Sequence, residues 1–271
     1  MSDVLWFPDS ACSDVQEAGG KGASLAAMTA AGLSVPPGFV VRARTLLESV
    51  DGERLRALAF AQAHEQAQAL VRGAEPPRRE LASAYERLGG GRVAVRSSAC
   101  AEDSADASFA GQQETFLDVE GIDDVCARVV DCWASFFSER ALFYRSRKGS
   151  LDDLGMAVVI QRMVDPKKSG VVFTVDPVQR RRDRMIVEAT FGLGEQVVSG
   201  AVTPAHYVID REGAIKRERL PNGDVLTSDD LVRLAQLGRV LEERFGCPQD
   251  IEWAIADGDV YVLQSRPVTA L

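Results

Sequence analysis

The chain has 271 residues, 46% hydrophobic and 26% charged, with a formal net charge of -9. That length can bury a full core in two lobes or one large α/β domain, and no Pro- or Ser-rich tract reads as a disordered linker. The acidic balance argues against a nucleic-acid partner, and no run approaches the roughly 20 apolar residues of a membrane span.

The opening segment, Met1 to Pro8, has neither a basic n-region nor a long apolar core, so it does not read as a secretory signal. The five cysteines include no CxxC pair and accompany only two histidines. This pattern fits reduced thiols in a cytoplasm, the expected location, and disfavours zinc.

Residues 19 to 31, Gly-Gly-Lys-Gly-Ala-Ser-Leu-Ala-Ala-Met-Thr-Ala-Ala, read as a glycine-rich turn entering an Ala-rich helix that Gly32 stops. Lys21 stands just before the helix N-terminus, where exposed backbone N–H groups and the helix dipole favour an anion. The spacing is not that of GxxxxGK[ST], and taken alone Lys21 reads better as a solvated surface lysine. Val35 to Arg42 is a turn into a short strand. Residues 52 to 72 and 77 to 88 read as helices separated by Ala74-Glu-Pro-Pro. His64 falls in the first of them, on a polar stretch with no sign of chemistry.

Arg92 to Ser98 is a short strand of buried type, and Arg96 near its end suits a bidentate grip on a phosphate. The run that follows, Ala99 to Gln113, is small and polar and too long for a simple turn. Such loops usually serve as lids or binding loops, and small side chains let the backbone approach a polyphosphate. The competing reading is a flexible surface excursion. Residues 114 to 119 return as a strand, and 121 to 147 form a long amphipathic helix.

From Gly155 the texture changes to closely spaced strands: 156 to 164, 170 to 175 and 185 to 189, with Pro166 to Gly170 linking the first two. The third ends in a second glycine-rich turn, Phe191-Gly-Leu-Gly-Glu195. Residues 207 to 209 and 214 to 220 make a hairpin across Arg211-Glu-Gly213, and His206 reads as structural at its start. Residues 228 to 245 are helical, with Thr227 or Ser228 as N-cap and Gly246 past the end. A helical first half and a strand-rich second half imply two lobes, 1–150 and 151–271, with a cleft between them. No internal repeat is present.

The chain then runs into Asp250-Ile-Glu-Trp-Ala-Ile-Ala-Asp-Gly-Asp-Val-Tyr-Val-Leu-Gln-Ser-Arg-Pro267, two alternating strands around Asp257-Gly258. A two-residue loop would set Glu252 opposite Leu263 and turn Gln264 to the other face, because side chains alternate with period two. A loop of Asp257, Gly258 and Asp259 instead pairs Glu252 with Gln264 and Asp250 with Arg266. The longer loop is the expected one, since it gathers a carboxylate, an amide oxygen and a guanidinium on one face. Those are the groups a magnesium-bound polyphosphate needs. The bland alternative is an edge hairpin whose polar face meets water.

Five stretches, in order, resemble one family. They are Gly19-Gly-Lys-Gly-Ala-Ser-Leu25; Val95-Arg-Ser-Ser98 with Ala101-Glu-Asp103 and Ala107 to Thr115; Gln161-Arg-Met-Val164 with Ser169 to Thr174; Glu188 to Glu195; and Asp250-Ile-Glu-Trp253 with Leu263 to Pro267. Together they resemble the ATP-binding domain of phosphoenolpyruvate synthase, pyruvate phosphate dikinase and rifampicin phosphotransferase, over nearly the whole chain. The resemblance implies an α/β (α+β) ATP-grasp fold, two lobes with the nucleotide in the cleft between them, and ATP and Mg²⁺ as ligands.

It implies that Lys21 and Arg96 hold the triphosphate and that Gly111 and Thr115 line the loop closing over it. Gln161, with backbone groups of Met163 and Val164, would sit against adenine. Glu252 and Gln264 would ligate Mg²⁺, and Arg266 would contact the terminal phosphate, making Lys21, Arg96 and Arg266 the catalytic cations. Glu188 and Glu195 are weaker candidates. The implied chemistry cleaves ATP between its α- and β-phosphates and passes pyrophosphate to a histidine, releasing AMP and inorganic phosphate.

Two departures stand out. Cys100 occupies a position where the synthase-like pattern has threonine, removing a hydroxyl from the phosphate loop. The 271 residues also hold no Thr-Ser-His segment, and neither His64 nor His206 has that context. The expectation is therefore an ATP-binding component that works with a separate phosphohistidine-domain protein and an unknown small-molecule acceptor. The alternatives are a self-sufficient ATP-grasp kinase or ligase and a non-catalytic ATP-binding module.

Overall fold

The computed structural model describes residues 2–100, 114–148, 154–194, 200 and 202–268. The chain divides into two compact units, one of Met1–Ala31 with Pro37–Met163 and one of Gly32–Pro36 with Val164–Leu271. Where a boundary near residue 150 was expected, the division falls at Met163/Val164.

The first unit opens with β1 (Val4–Trp6), too short to carry a periodic signal. Helix α1 (Val15–Ala30) begins well before the expected start, which lay after Lys21, because Asp14 caps it by accepting from Gln16 N–H at 2.9 Å. Gly19 breaks it, with φ 69° and ψ 171°. After β2 (Gly38–Val41) come α2 (Thr45–Glu48), α3 (Gly52–Phe60), α4 (His64–Arg72) and α5 (Arg78–Arg87). The single helix expected over 52 to 72 is thus divided, at Gln62, which takes φ 55°. Strands β3 (Val93–Ala99) and β4 (Thr115–Val119) follow.

The helix expected over 121 to 147 is likewise two, α6 (Ile122–Ser135) and α7 (Glu139–Lys148). Between them Phe136 and Phe137 are both buried and meet edge to face. Ser138 then restarts the helix, its Oγ accepting from Ala141 N–H at 3.3 Å.

Strand β5 (Met156–Arg162) explains the shifted boundary. It is the middle strand of an antiparallel sheet ordered β1-β2-β5-β3-β4, pairing with Gly38–Val41 on one side and Val93–Ala99 on the other. Its run Met-Ala-Val-Val-Ile-Gln is buried throughout, as a strand covered on both faces requires. One face carries Phe39, Val93, Val95, Val158 and Ile160 into a core with Trp133 and Leu142. Alternation sends Ala94, Arg96, Ser98, Val159 and Gln161 to the other face, which α1 covers.

The second unit is a six-stranded antiparallel sheet of β6 (Lys168–Phe173), β7 (Arg184–Phe191), β8 (Ala205–Asp210), β9 (Ile215–Arg219), β10 (Gln249–Ala256) and β11 (Asp259–Pro267). Its order is β11-β10-β6-β7-β8-β9. Helix α8 (Ser228–Phe245) has the expected limits. Thr227 and Asp230 form a reciprocal capping box, and Gly246 ends it in the left-handed region at φ 69°. The helix buries Leu231, Leu234 and Leu241 over a face that carries Val172, Met185, Tyr207, Ile209 and Trp253, all 0% exposed. Gly238 admits this approach, since a Cβ there would meet Thr174 and Met185 at 3.2–3.3 Å. The face away from α8 carries Asp250, Glu252 and Glu188 among buried apolar residues such as Val171, Ile186 and Val208. Among the described residues no helix is long and apolar enough to cross a membrane.

Trp253→Ala should lower unfolding stability by about 3–5 kcal/mol, and Thr227→Ala by about 1 kcal/mol, both read by denaturant unfolding. A loss under about 1 kcal/mol for Trp253→Ala would contradict its place in this core.

Candidate functional site

In the first unit, the polar candidates collect on the α1 face of the sheet. Arg96 lies on β3, 7% exposed, directly opposite Thr115 on β4 and Val159 on β5. Cross-strand partners share a face, so Arg96 and Thr115 point the same way, as do Ala94 and its partner Gln161, which is 3% exposed. Lys21 enters from α1. It is 5% exposed, not a solvated surface lysine, and its Nζ donates to the Ser97 carbonyl at 2.6 Å.

The break at Gly19 lets α1 reach the strand end. A Cβ on Gly19 would lie 2.1 Å from the Ser98 carbonyl oxygen, so only glycine permits this contact. The Ser98 hydroxyl donates to the Ala18 carbonyl at 2.9 Å and accepts from Gly22 N–H at 3.1 Å. Sequence reasoning singled out neither serine. The available signal was the polar Ser-Ser pair closing an otherwise apolar strand. Cys100, in place of the pattern's threonine, lies with its Sγ 3.6 Å from the Gln16 carbonyl, a weak donor where a hydroxyl would be a strong one. None of the five cysteines forms a disulfide, and burial together with the Asp9 charge pushes the Cys12 thiol up to about 12.

In the second unit, the pairing expected of the terminal hairpin is present: Glu252 opposes Gln264 and Asp250 opposes Arg266. The expected three-residue loop is not. Ala256 pairs with Asp259 across a two-residue turn in which Asp257 (φ 51°) and Gly258 (φ 89°) are both left-handed, the geometry of a tight hairpin. The register is restored by a bulge: Trp253 pairs with Val262 and Glu252 with Gln264, so Leu263 is the extra residue.

Because the sheet is antiparallel and in register, the row continues from Gln264 and Glu252 through Val171 and Glu188 to His206. All five side chains face away from α8. His206 Nδ1 lies 3.5 Å from Glu188 Oε1, which accounts for this histidine without further chemistry. In the adjacent row Arg266 Nε donates to Asp250 Oδ2 at 2.8 Å. The Ser169-Gly170 stretch is structural. A Cβ on Gly170 would come within 1.9 Å of the Glu188 carbonyl, and Ser169 Oγ donates to the Gly192 carbonyl of the second glycine-rich turn.

Asp250 is 9% exposed, and its carboxyl sits above the usual carboxylate range. Burial is the main cause; the Arg266 guanidinium pulls the other way, and the Glu252 and Glu188 charges add to the rise. This crowding of carboxylates is what a hard divalent cation relieves, and Glu252 with the Gln264 amide oxygen offers it oxygen ligands. Among the described residues no cluster of three or more His, Cys, Asp or Glu forms a protein cage for a metal. The donor set therefore fits a cation that draws its remaining ligands from water or phosphate, as Mg²⁺ does.

Met163 and Val164 bracket the division between the units, and Met163 N–H donates to the Arg92 carbonyl at 3.0 Å. Gly111 and Glu195, with the loop from 101 to 113, lie outside the described residues.

The sequence matches the family described as pyruvate phosphate dikinase, AMP/ATP-binding domain, over residues 15–223 and 210–271. A probable phosphoenolpyruvate synthase of Methanothermobacter thermautotrophicus is 39% identical over 318 aligned residues, covering 99% of this chain and 46% of that protein. One of Archaeoglobus fulgidus is 40% identical over 315 residues, covering 99% and 42%. A rifampicin phosphotransferase of a Streptomyces species is 41% identical over 316 residues, covering 99% and 36%. The chain spans less than half the length of these relatives.

Glu252→Gln should bring the Asp250 pKa down toward its ordinary value, read by carboxyl-carbon NMR titration. An unmoved titration would show that the two carboxylates do not sense each other. The sign for stability follows from the raised folded pKa. Asp250's contribution is full below its unfolded pKa and is lost as pH rises through the folded value, so the variant should flatten that decline.

Proposed function

The chain belongs to the pyruvate phosphate dikinase AMP/ATP-binding domain family, and from that premise we propose that it binds MgATP and starts a phosphoryl transfer to a histidine carried outside these 271 residues. The mixed α/β architecture, two antiparallel sheets each with covering helices, is that of the ATP-grasp class expected from the motifs. The observation that carries the proposal is the bulged hairpin, which puts Glu252, Gln264, Asp250 and Arg266 on one sheet face in pairs.

In this reading Lys21 and Arg96 supply two buried cations from one face of the first unit to neutralise the triphosphate. Arg96 suits a bidentate contact and Lys21 a point charge. Thr115, opposite Arg96, adds a hydroxyl, and Gly111 would let the loop backbone approach. Gln161, with the carbonyl of Met163 and the backbone of Val164, would face the adenine edge, the Met163 N–H being held by the Arg92 carbonyl. In the second unit Glu252 and Gln264 hold Mg²⁺, and Arg266, oriented by Asp250, meets the terminal phosphate. When bound, Mg²⁺ supplies charge neutralisation on the phosphates. The protein's part is otherwise positioning and electrostatics, with little covalent work of its own.

In this reading the reaction is that of a dikinase, in keeping with the description of the matching family. The β-phosphorus–oxygen bond to the α-phosphate breaks, AMP leaves, and pyrophosphate bonds to an imidazole nitrogen that gives up its proton. Hydrolysis then releases inorganic phosphate. The final acceptor is a small molecule whose recognition lies outside the residues discussed.

The test is a reconstitution with this chain, MgATP and candidate histidine domains. Histidine phosphorylation should require both proteins and the nucleotide; phosphorylation that proceeds without this chain would sink the proposal. Glu252→Gln should lower magnesium-dependent ATP turnover at least about tenfold while leaving the unfolding midpoint nearly unchanged. Unaltered turnover in that variant would remove Glu252 from the site.

A further inference from the structure

We infer that Ser98 is a positioning residue for Lys21, its hydroxyl setting where the lysine stands against β3, the strand that carries Arg96; the inference rests on the proposed role of Lys21 as a phosphate ligand. The hydroxyl spans the break in α1. It donates to the Ala18 carbonyl on one side of Gly19 and accepts from Gly22 N–H on the other, at 2.9 and 3.1 Å. Lys21 lies between those two anchor points, and its Nζ donates to the carbonyl of the neighbouring Ser97 at 2.6 Å.

The junction is dry and tightly closed. Ser97 is 1% and Ser98 0% exposed. Gly19 at φ 69° comes so near Ser98 that any side chain there would collide with its carbonyl. Gly22 N–H belongs to the first turn after the break, where helix donors have no intrahelical partner, and Ser98 acts as its cap from a distant strand. A serine on β3 therefore does what an N-cap does locally, with one difference: it ties the restarted helix to the strand that carries Arg96. Arg96 and Ser98 are two residues apart on β3 and share its α1 face. Moving the helix start relative to that strand moves Lys21 relative to Arg96. Cys100, just past the end of β3, reaches the Gln16 carbonyl at 3.6 Å and adds a further contact between the strand end and α1.

A cap that merely stabilises the helix and a tether that places Lys21 differ in what they couple. The experiment is a double-mutant cycle on the full chain with Ser98→Ala, Lys21→Ala and both, read by calorimetric MgATP affinity. Hydrogen exchange at residues 20 to 22 and the NMR signal of Lys21 Nζ are followed in parallel. Positioning predicts that Ser98→Ala weakens MgATP about tenfold by itself and adds little to Lys21→Ala. It also predicts faster exchange confined to residues 20 to 22 and a shifted Nζ signal. A loss that multiplies fully with that of Lys21→Ala, or an unmoved Nζ signal, would overturn it. Should Ser98→Ala fail to fold, Ser98→Cys, which keeps a weak donor and acceptor at similar size, carries the same cycle with an intermediate loss expected. Failure of the unaltered chain to bind MgATP would overturn the proposed function instead, and the exchange and Nζ measurements would still decide whether Ser98 places Lys21.

Discussion

One extra residue in a strand, Leu263, sets which polar side chains the second unit's sheet presents together. A two-residue turn at Asp257-Gly258 would by itself set Glu252 against Leu263 and send Gln264 toward α8. The bulge after Val262 absorbs that mismatch, so that Glu252 meets Gln264 and Asp250 meets Arg266 on the polar face. Bulges insert one residue and re-aim the side chains beyond it; here the change of aim divides β11 into a scaffold end and a polar end. The scaffold end keeps Trp253 and Val262 fully buried. The same sheet face then gathers three carboxylates, Asp250, Glu252 and Glu188, close enough for their charges to raise the Asp250 pKa.

The first unit solves its placement problem with a backbone irregularity too. Gly19 breaks α1 in a conformation that disfavours other residues, and the gap it opens brings the helix start against the end of β3. Two cations, Lys21 and Arg96, are thereby held nearly buried. Burying a charge without partners is costly. The contact of Lys21 with the Ser97 carbonyl is one way the fold offsets that cost while keeping the charge. In both units, then, the regular elements provide rigidity, and one departure from regularity aims the polar groups.

Much of this was legible in the residues. Helix α8 is legible to its limits because its N-cap and C-terminal glycine are local signals. The hairpin pairing is legible in the chemistry of its polar face, yet through the wrong loop, since nothing in the sequence distinguishes a third loop residue at Asp259 from a bulge four positions on at Leu263. The overlong helices, 52 to 72 and 121 to 147, show the reverse failure: apolar periodicity runs on across Gln62, where the backbone turns left-handed, and across Phe136-Phe137, where tertiary burial turns the chain. Strand β5 was grouped with the strands that follow it, because a parting of units is visible as contacts and not as composition. Lys21 as a buried group was missed for a related reason, since what buries it is a strand 76 residues away. Residues 101 to 113, with Gly111, and Glu195 lie outside the described residues.

On the proposed reading, Lys21 and Arg96 of the first unit and Glu252, Gln264 and Arg266 of the second are groups of the kinds a nucleotide polyphosphate and its cation need, and such groups serve equally well for transfer of a terminal phosphate or of pyrophosphate. The product decides. Purified chain with MgATP, supplied with histidine domains and then with small-molecule acceptors, should release AMP and inorganic phosphate in equal amounts on the dikinase-like account. ADP as the nucleotide product would contradict it and make the chain a self-contained kinase or ligase.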